Sequence, residues 1–235
     1  MNSPAELLAF AWALQAPELL GASGADARIA WRLEPTDRLE RLAPFAQWTS
    51  ASAGVVDGRL VWLVDGYVSS ATFPLTEALQ WARGVVSSVR VGFLGTVDAE
   101  SGDTHVYLRP GADPLAVAWS EVAAGLVQDS SEIPPAVARA QLYPVDLFRL
   151  QSLALERASW GPGMLAARPA AVAGDPAVPL RAWRSDGGGP ALLAAYDRGA
   201  RRVAATLEGV MQDGREQLEL VQLDSAATLP TPAVL

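Results

Sequence analysis

The sequence contains no cysteine, no lysine and a single histidine. Without cysteine there is no disulfide framework, no thiolate nucleophile and no thiolate metal site. Without lysine there is neither a Schiff-base amine nor a phosphate-loop lysine. One histidine excludes a histidine-pair metal site within the chain. Long apolar runs are missing too. The most suggestive is Leu7 to Leu14, bracketed by Glu6 and Gln15, whereas a membrane-spanning helix needs about 20 apolar residues. That run also lacks the basic leader and the small-residue cleavage site of a signal peptide. It reads as a buried amphipathic helix, and the chain as given reads as soluble.

What is present suffices for a core. Of the 235 residues, 50% are hydrophobic and 19% charged. A disordered chain shows the reverse balance. The formal net charge is −8. Binding to nucleic acid neutralises phosphates with basic side chains, so this sign argues against a nucleic-acid partner. It argues equally against docking on anionic lipid. The acidity is uneven: residues 1–158 hold 18 acids and 11 Arg, while residues 159–235 hold 8 acids and 7 Arg.

The pattern along the chain predicts an α+β fold: an antiparallel sheet built from hairpins, helices packed on it, and a C-terminal β-meander. Helical periodicity dominates the first 45 residues, with Asp26 capping a short helix, Pro35 as a breaker and a further turn over Asp37–Leu42. Asp57-Gly58 between two β-rich runs is a strong hairpin signal. Leu60–Val68 is apolar on both faces until Asp65, as a central strand would be. Thr76–Arg83 reads as a helix closed by Gly84. Val85–Leu94 and Thr104–Leu108 form a second hairpin. Asp113-Pro114 opens a helix with a core stripe of Leu115, Ala118, Trp119, Val122 and Leu126. Another helix begins near Pro144. Residues 1–158 thus form an α+β domain. Residues 159–190, rich in Gly, Pro and Ala, read as a linker or loop. Residues 191–235 form a small meander turned at Asp197-Arg198-Gly199 and Asp213-Gly214, either joined to the first sheet or forming its own subdomain.

The residues suited to chemistry are few. His105 has a side chain that titrates near neutrality, but no nucleophile or orienting acid lies near it in sequence, and an ordinary strand histidine explains it. The loop carrying Asp98, Glu100 and Asp103 is rich in oxygen donors, which hard cations favour. It lacks EF-hand spacing, and a solvated turn explains it as well. Asp57 and Asp65 flank one strand roughly 26 Å apart at the usual rise. That is too far for a glycosidase pair, so Asp57 is the turn residue and Asp65-Gly66 a second turn or bulge. Eight tryptophans are many for this length. Trp12, Trp62, Trp81 and Trp119 fall on apolar faces and read as core. Trp48, Trp160 and Trp183 fall in loops and are the ligand-binding candidates, since exposed indoles stack on sugars or proline-rich peptides. No catalytic residues are identifiable, no cofactor is implied, and no metal site beyond the candidate calcium loop.

Several blocks recur together: Leu8-Ala9-Phe10-Ala11; Ala43-Pro44-Phe45; the run from Val56-Asp57-Gly58-Arg59 through Val61-Trp62 to Val64-Asp65-Gly66-Tyr67; Phe73-Pro74; Ser131-Glu132-Ile133-Pro134; and Tyr143-Pro144 with Asp146-Leu147-Phe148. Their order and spacing over residues 5–157 resemble bacterial uncharacterised protein family 0182. Its members look like several membrane-spanning helices followed by a large domain outside the cytoplasm. The family usually has Tyr-Pro-Tyr-Ser where this chain has Phe73-Pro74-Leu75-Thr76. The resemblance supplies no activity and no catalytic residues. It implies that the chain is part of the extracytoplasmic domain of a membrane-anchored envelope protein. The expectation is a non-catalytic module binding a protein or glycan partner in the envelope. The alternatives are a cell-envelope hydrolase using carboxylates from distant segments, and a structural or oligomerisation module.

Overall fold

Two tight reversals organise the chain. In a computed structural model, residues 4–21, 33–72, 74, 78–81, 84–157, 168–169, 179–184, 189–197 and 203–223 are described. At the first reversal, Asp57 and Gly58 have φ of 49° and 79°. Both central residues are left-handed, as a type I′ turn requires, and Asp-Gly tolerates this where bulkier residues do not. The turn joins β1 (Gln47–Val56) to β2 (Arg59–Ser70) with Val56 opposite Arg59. Asp213 and Gly214 repeat the device at 51° and 74°.

Contacts divide the chain into Met1–Leu33 and Glu34–Leu235. In the first unit, α1 (Pro4–Ala13) is followed by a 3₁₀ turn over Pro17–Gly21. It is not the buried amphipathic helix expected. Leu8 is exposed and Trp12 is 81% exposed, so the apolar face is open. The helix expected to begin at Asp26 lies outside the described residues.

In the second unit, the helical turn expected over Asp37–Leu42 is present as α2 (Pro35–Leu42), which starts on Pro35 because proline suits the first helical position. After β2, two short strands, β3 (Leu79–Trp81) and β4 (Gly84–Val86), pair with each other. A helix was expected over Thr76–Arg83. Its described residues 79–81 are strand instead, and they hold Trp81 edge-on to Tyr67 at 5.1 Å. Then come β5 (Ser88–Asp98), β6 (Thr104–Leu108), α3 (Pro114–Val122) and β7 (Val127–Gln128). The first sheet runs β1-β2-β5-β6-β7, antiparallel except for β6 with β7. Beside Gly66 and Tyr67 the register shifts, because β5 carries the extra residue Gly92. This is the bulge the sequence suggested at Asp65-Gly66, placed on the partner strand.

β2 is buried almost continuously from Val61 to Val68 because both faces of the sheet are covered. On one face, Val64, Val68, Phe93, Val97 and Val106 pack under Leu39, Ala43, Trp48 and Ala116. On the other, Val61, Leu63, Leu94 and Tyr107 meet Val137 of α4 (Pro135–Ala140). Burying one such side chain stabilises by roughly 1.5–3 kcal/mol. The Asp113 carboxylate caps α3 by accepting from the Leu115 amide at 2.9 Å, as the sequence implied. The predicted core stripe of α3 is wrong, however. Only Ala116 is buried in that helix, pressed where Gly92 leaves room, and Val122 is 77% exposed.

α5 (Val145–Arg157) joins the two sheets. Leu147 and Leu150 pack beside Tyr67, while Phe148 packs against Leu192, Tyr196 and Leu207. The second sheet contains β10 (Pro190–Asp197), β11 (Val203–Gln212) and β12 (Arg215–Gln222). β8 (Arg168–Pro169) and β9 (Leu180–Trp183) pair with the other edge of β10. The stretch 159–190, expected as linker, therefore contributes two strands. Their local pattern is too short to announce them, and the free edge of β10 recruits them. The expected turn at Arg198-Gly199 lies outside the described residues.

Gly209 sits where α5 and the second sheet approach most closely. A Cβ there would lie 2.7 Å from a Phe148 ring carbon and 2.9 Å from Tyr143 Cγ. Gly209→Ala should lower the urea midpoint by an amount equivalent to about 1–3 kcal/mol, as overpacking does. An unchanged midpoint would show that the ring pair yields freely.

Candidate functional site

Among the described residues, β1 is an edge strand of the first sheet and β9 pairs only with β10. Together with α4 they line an open groove of about 570 Å³. Gly54 allows α4 to lie close, since a Cβ there would be 3.3 Å from Ala140 Cβ. Arg181 and Trp183, two apart in a strand, share a side of β9. Both line the groove, as does Arg139 of α4. Trp183 is 80% exposed. Neither Arg139 nor Arg181 has an ion pair or side-chain hydrogen bond among the described residues. Asp57 is the one carboxylate in the lining. The remaining wall is largely apolar, formed by Val55, Ala140, Leu142 and Pro190.

A second cluster is buried. Arg109, just after β6, pairs with Asp65 of β2 through Nη2 and with Glu216 of β12 through Nη1 at 2.8 Å. The guanidinium lies in the interior and bridges the two sheets. Nearby, Ser50 occupies a left-handed conformation (φ 50°) in a bulge of β1 and donates to Asp146 Oδ2 at 2.6 Å. Arg149 reaches the other oxygen of Asp146 at 3.3 Å. Burial pushes the Asp65 carboxyl up to about 6, and Arg109 partly opposes that rise. Burial also raises the Tyr67 phenol, and it pushes the Tyr143 phenol up to about 12. Sequence reasoning missed Arg109. The available signal was Asp65 itself, because a carboxylate inside an apolar strand requires a cation or donor beside it. What it did not reveal was which of 18 arginines answers.

The tryptophan candidates separate. Trp48 lies in β1 rather than in a loop. It is 3% exposed, and its indole N–H donates to the Ala43 carbonyl at 2.9 Å, so it offers no face to a ligand. Trp160 lies outside the described residues. Trp183 stands in the groove. Among those read as core, Trp81 is buried, Trp62 half-buried, and Trp119 partly exposed while stacked on Phe45 at 5.4 Å. His105 is exposed on β6 beside Tyr107.

In the loop of Asp98, Glu100 and Asp103, Asp98 Oδ1 accepts from the amides of Glu100 and Ser101 at 3.0 and 2.7 Å. Its Oδ2 pairs with Arg59 at 2.9 Å. The Ser101 hydroxyl lies 2.8 Å from Asp103. These bonds hold Asp98 below the usual carboxylate range and make the loop an Asx turn. No group of three acidic, histidine or cysteine side chains is placed to hold a metal among the described residues. Likewise no described helix is long and apolar enough to cross a membrane.

The fold and groove define an α+β domain with two sheets around a shared helix and an open aromatic–arginine cleft. The chain belongs to the Uncharacterised protein family (UPF0182), whose sequence profile matches residues 1–157. It is similar to a UPF0182 protein of Rhodococcus jostii, 36% identical over 144 residues, covering 56% of this chain and 14% of that protein. A Mycobacterium tuberculosis relative is 31% identical over 151 residues, covering 57% and 15%. One from Streptomyces coelicolor is 31% identical over 179 residues, covering 67% and 18%. The chain thus spans less than a fifth of the length of these curated relatives. No solved structure matches it.

The charge cluster yields two expectations. Arg109→Met strands Asp65 in the interior and also removes the cation from Glu216, whose side chain is 25% exposed. It should cost towards the lower end of about 3–5 kcal/mol in denaturant titration. The second concerns pH. A carboxyl whose folded pKa of about 6 exceeds its ordinary 3.8 binds a proton on folding between those values. Its contribution to stability therefore rises as pH falls from 7 towards 4. Relative to Asp65→Asn, the wild type should gain stability over that interval in paired urea titrations. A constant difference would rule out the raised carboxyl.

Proposed function

We propose that this chain is a non-catalytic, extracytoplasmic binding domain of a membrane-anchored envelope protein. The groove between β1, α4 and β9 is its contact surface. The observation that carries the reading is an exposed indole, Trp183, set with two arginines, Arg139 and Arg181, that have no ion-pair partner among the described residues, in one open cleft. An exposed aromatic with polar neighbours is an arrangement for recognition.

The hydrolase reading has less support. Glycosidic chemistry needs two carboxyls facing a shared substrate, and Asp57 stands alone in the groove lining. The acids that do converge from distant segments, buried Asp65 and half-buried Glu216, are both engaged by Arg109. The envelope assignment rests on the resemblance to the family, whose curated relatives extend far beyond the stretch matched here.

Topology is testable because the chain contributes no competing thiol. A cysteine placed at exposed Glu121 of the full-length polypeptide should react with a membrane-impermeant maleimide in intact cells. Labelling only after permeabilisation would defeat the extracytoplasmic assignment.

A further inference from the structure

We infer that the groove takes an extended acidic segment of a partner polypeptide, added as a new strand on the free edge of β1. The inference rests on the binding reading above and gives it a ligand class.

Edge strands present unpaired amides and carbonyls, and proteins usually guard them with charge, proline or brevity. β1 has none of these guards. It is ten residues long, and Gln47 to Val56 contains no charged residue and no proline. The bulge between Thr49 and Ser52 interrupts its regular pairing, so the straight portion is Ser52–Val56. That portion lines the groove, and Val55 there is 71% exposed. A β-branched apolar side chain on an open edge is suited to cross-strand contact.

Backbone pairing gives affinity in strand addition, while alternate side chains give specificity. The groove supplies both kinds of side-chain contact. Its apolar wall, Ala136, Ala140 and Leu142, suits aliphatic groups. Arg139 and Arg181 have no ion-pair partner among the described residues, and Asp57 is the one carboxylate in the described lining. Successive side chains of a strand point to opposite sides. A segment carrying both aliphatic and acidic residues would therefore meet the apolar wall of α4 and the arginines of α4 and β9, with Trp183 beside Arg181 on β9. An acidic glycan would satisfy the arginines but would leave the backbone of β1 unpaired. The edge thus favours a peptide.

The test uses the 235-residue chain and a labelled Val–Glu octapeptide read by fluorescence anisotropy at low and physiological salt. Saturable binding is expected, weakened by added salt because part of the attraction is between exposed charges. The exposed-site double variant Arg139→Ala/Arg181→Ala should bind roughly tenfold or more weakly. Its melting curve should match wild type, and Trp183→Ala should weaken binding as well. A backbone N-methylated octapeptide and a Val–Arg octapeptide should not bind. Equal binding of the N-methylated peptide, or failure of the Val–Glu peptide to saturate, would overturn the inference. Competition by oligogalacturonate alone would remove the peptide and keep the groove as a binding site. Self-association of the chain without peptide, abolished by Val55→Glu, would assign the edge to a second copy instead. None of these outcomes bears on the maleimide topology, so the two proposals fail separately.

Discussion

The buried guanidinium of Arg109 is the constraint to which the rest of the structure answers. A cation removed from water is tolerated only with close anionic partners. Here they come from two different sheets, Asp65 of β2 and Glu216 of β12. Good geometry at one guanidinium therefore fixes where the second sheet stands against the first. Its Nε lacks a partner among the described residues, so the two carboxylates carry the compensation. The apolar contacts around α5 then work within a spacing that charge has set. Gly209 can touch Phe148 and Tyr143 because that spacing is tight.

How much of this was legible depended on whether the cause was local. The Asp-Gly reversals at 57–58 and 213–214 are short-range chemistry, and both were read correctly with the strands they join. The Asp113 cap and Pro114 start of α3 are local in the same sense. Family membership was also legible, from blocks whose structural reasons now appear. Asp129 and Glu132 form a reciprocal cap at the Ser130–Glu132 turn, and Tyr143 begins the bridge between the sheets.

The misreadings share a different cause. Periodicity marks an apolar stripe but does not say what covers it. On α3 the stripe of Leu115, Trp119 and Val122 is largely uncovered, because the helix approaches the sheet through small Ala116 over Gly92. Trp48 looked like a loop residue, yet its indole fills the core beneath Leu39. Arg109 was invisible since its partners lie 44 and 107 residues away. The groove is non-local in the same way: β1 and α4 lie within the stretch that matches the family, while β9 follows it. Trp48, Trp160 and Trp183 were read alike as loop tryptophans; of the two that are described, Trp183 is exposed but lies in β9 rather than in a loop.

The family profile stops at Arg157, the last residue of α5. Solvent exclusion does not stop there. The outward flank of that helix, Phe148 with Tyr143 before it, is sealed by Leu192, Tyr196 and Leu207, all from beyond the boundary. The stretch that matches the family and the core that closes over α5 are therefore offset by one β-layer. Cutting the chain at residue 157 would strip Phe148 and Tyr143 of those three neighbours and leave Arg109 with Asp65 but without Glu216.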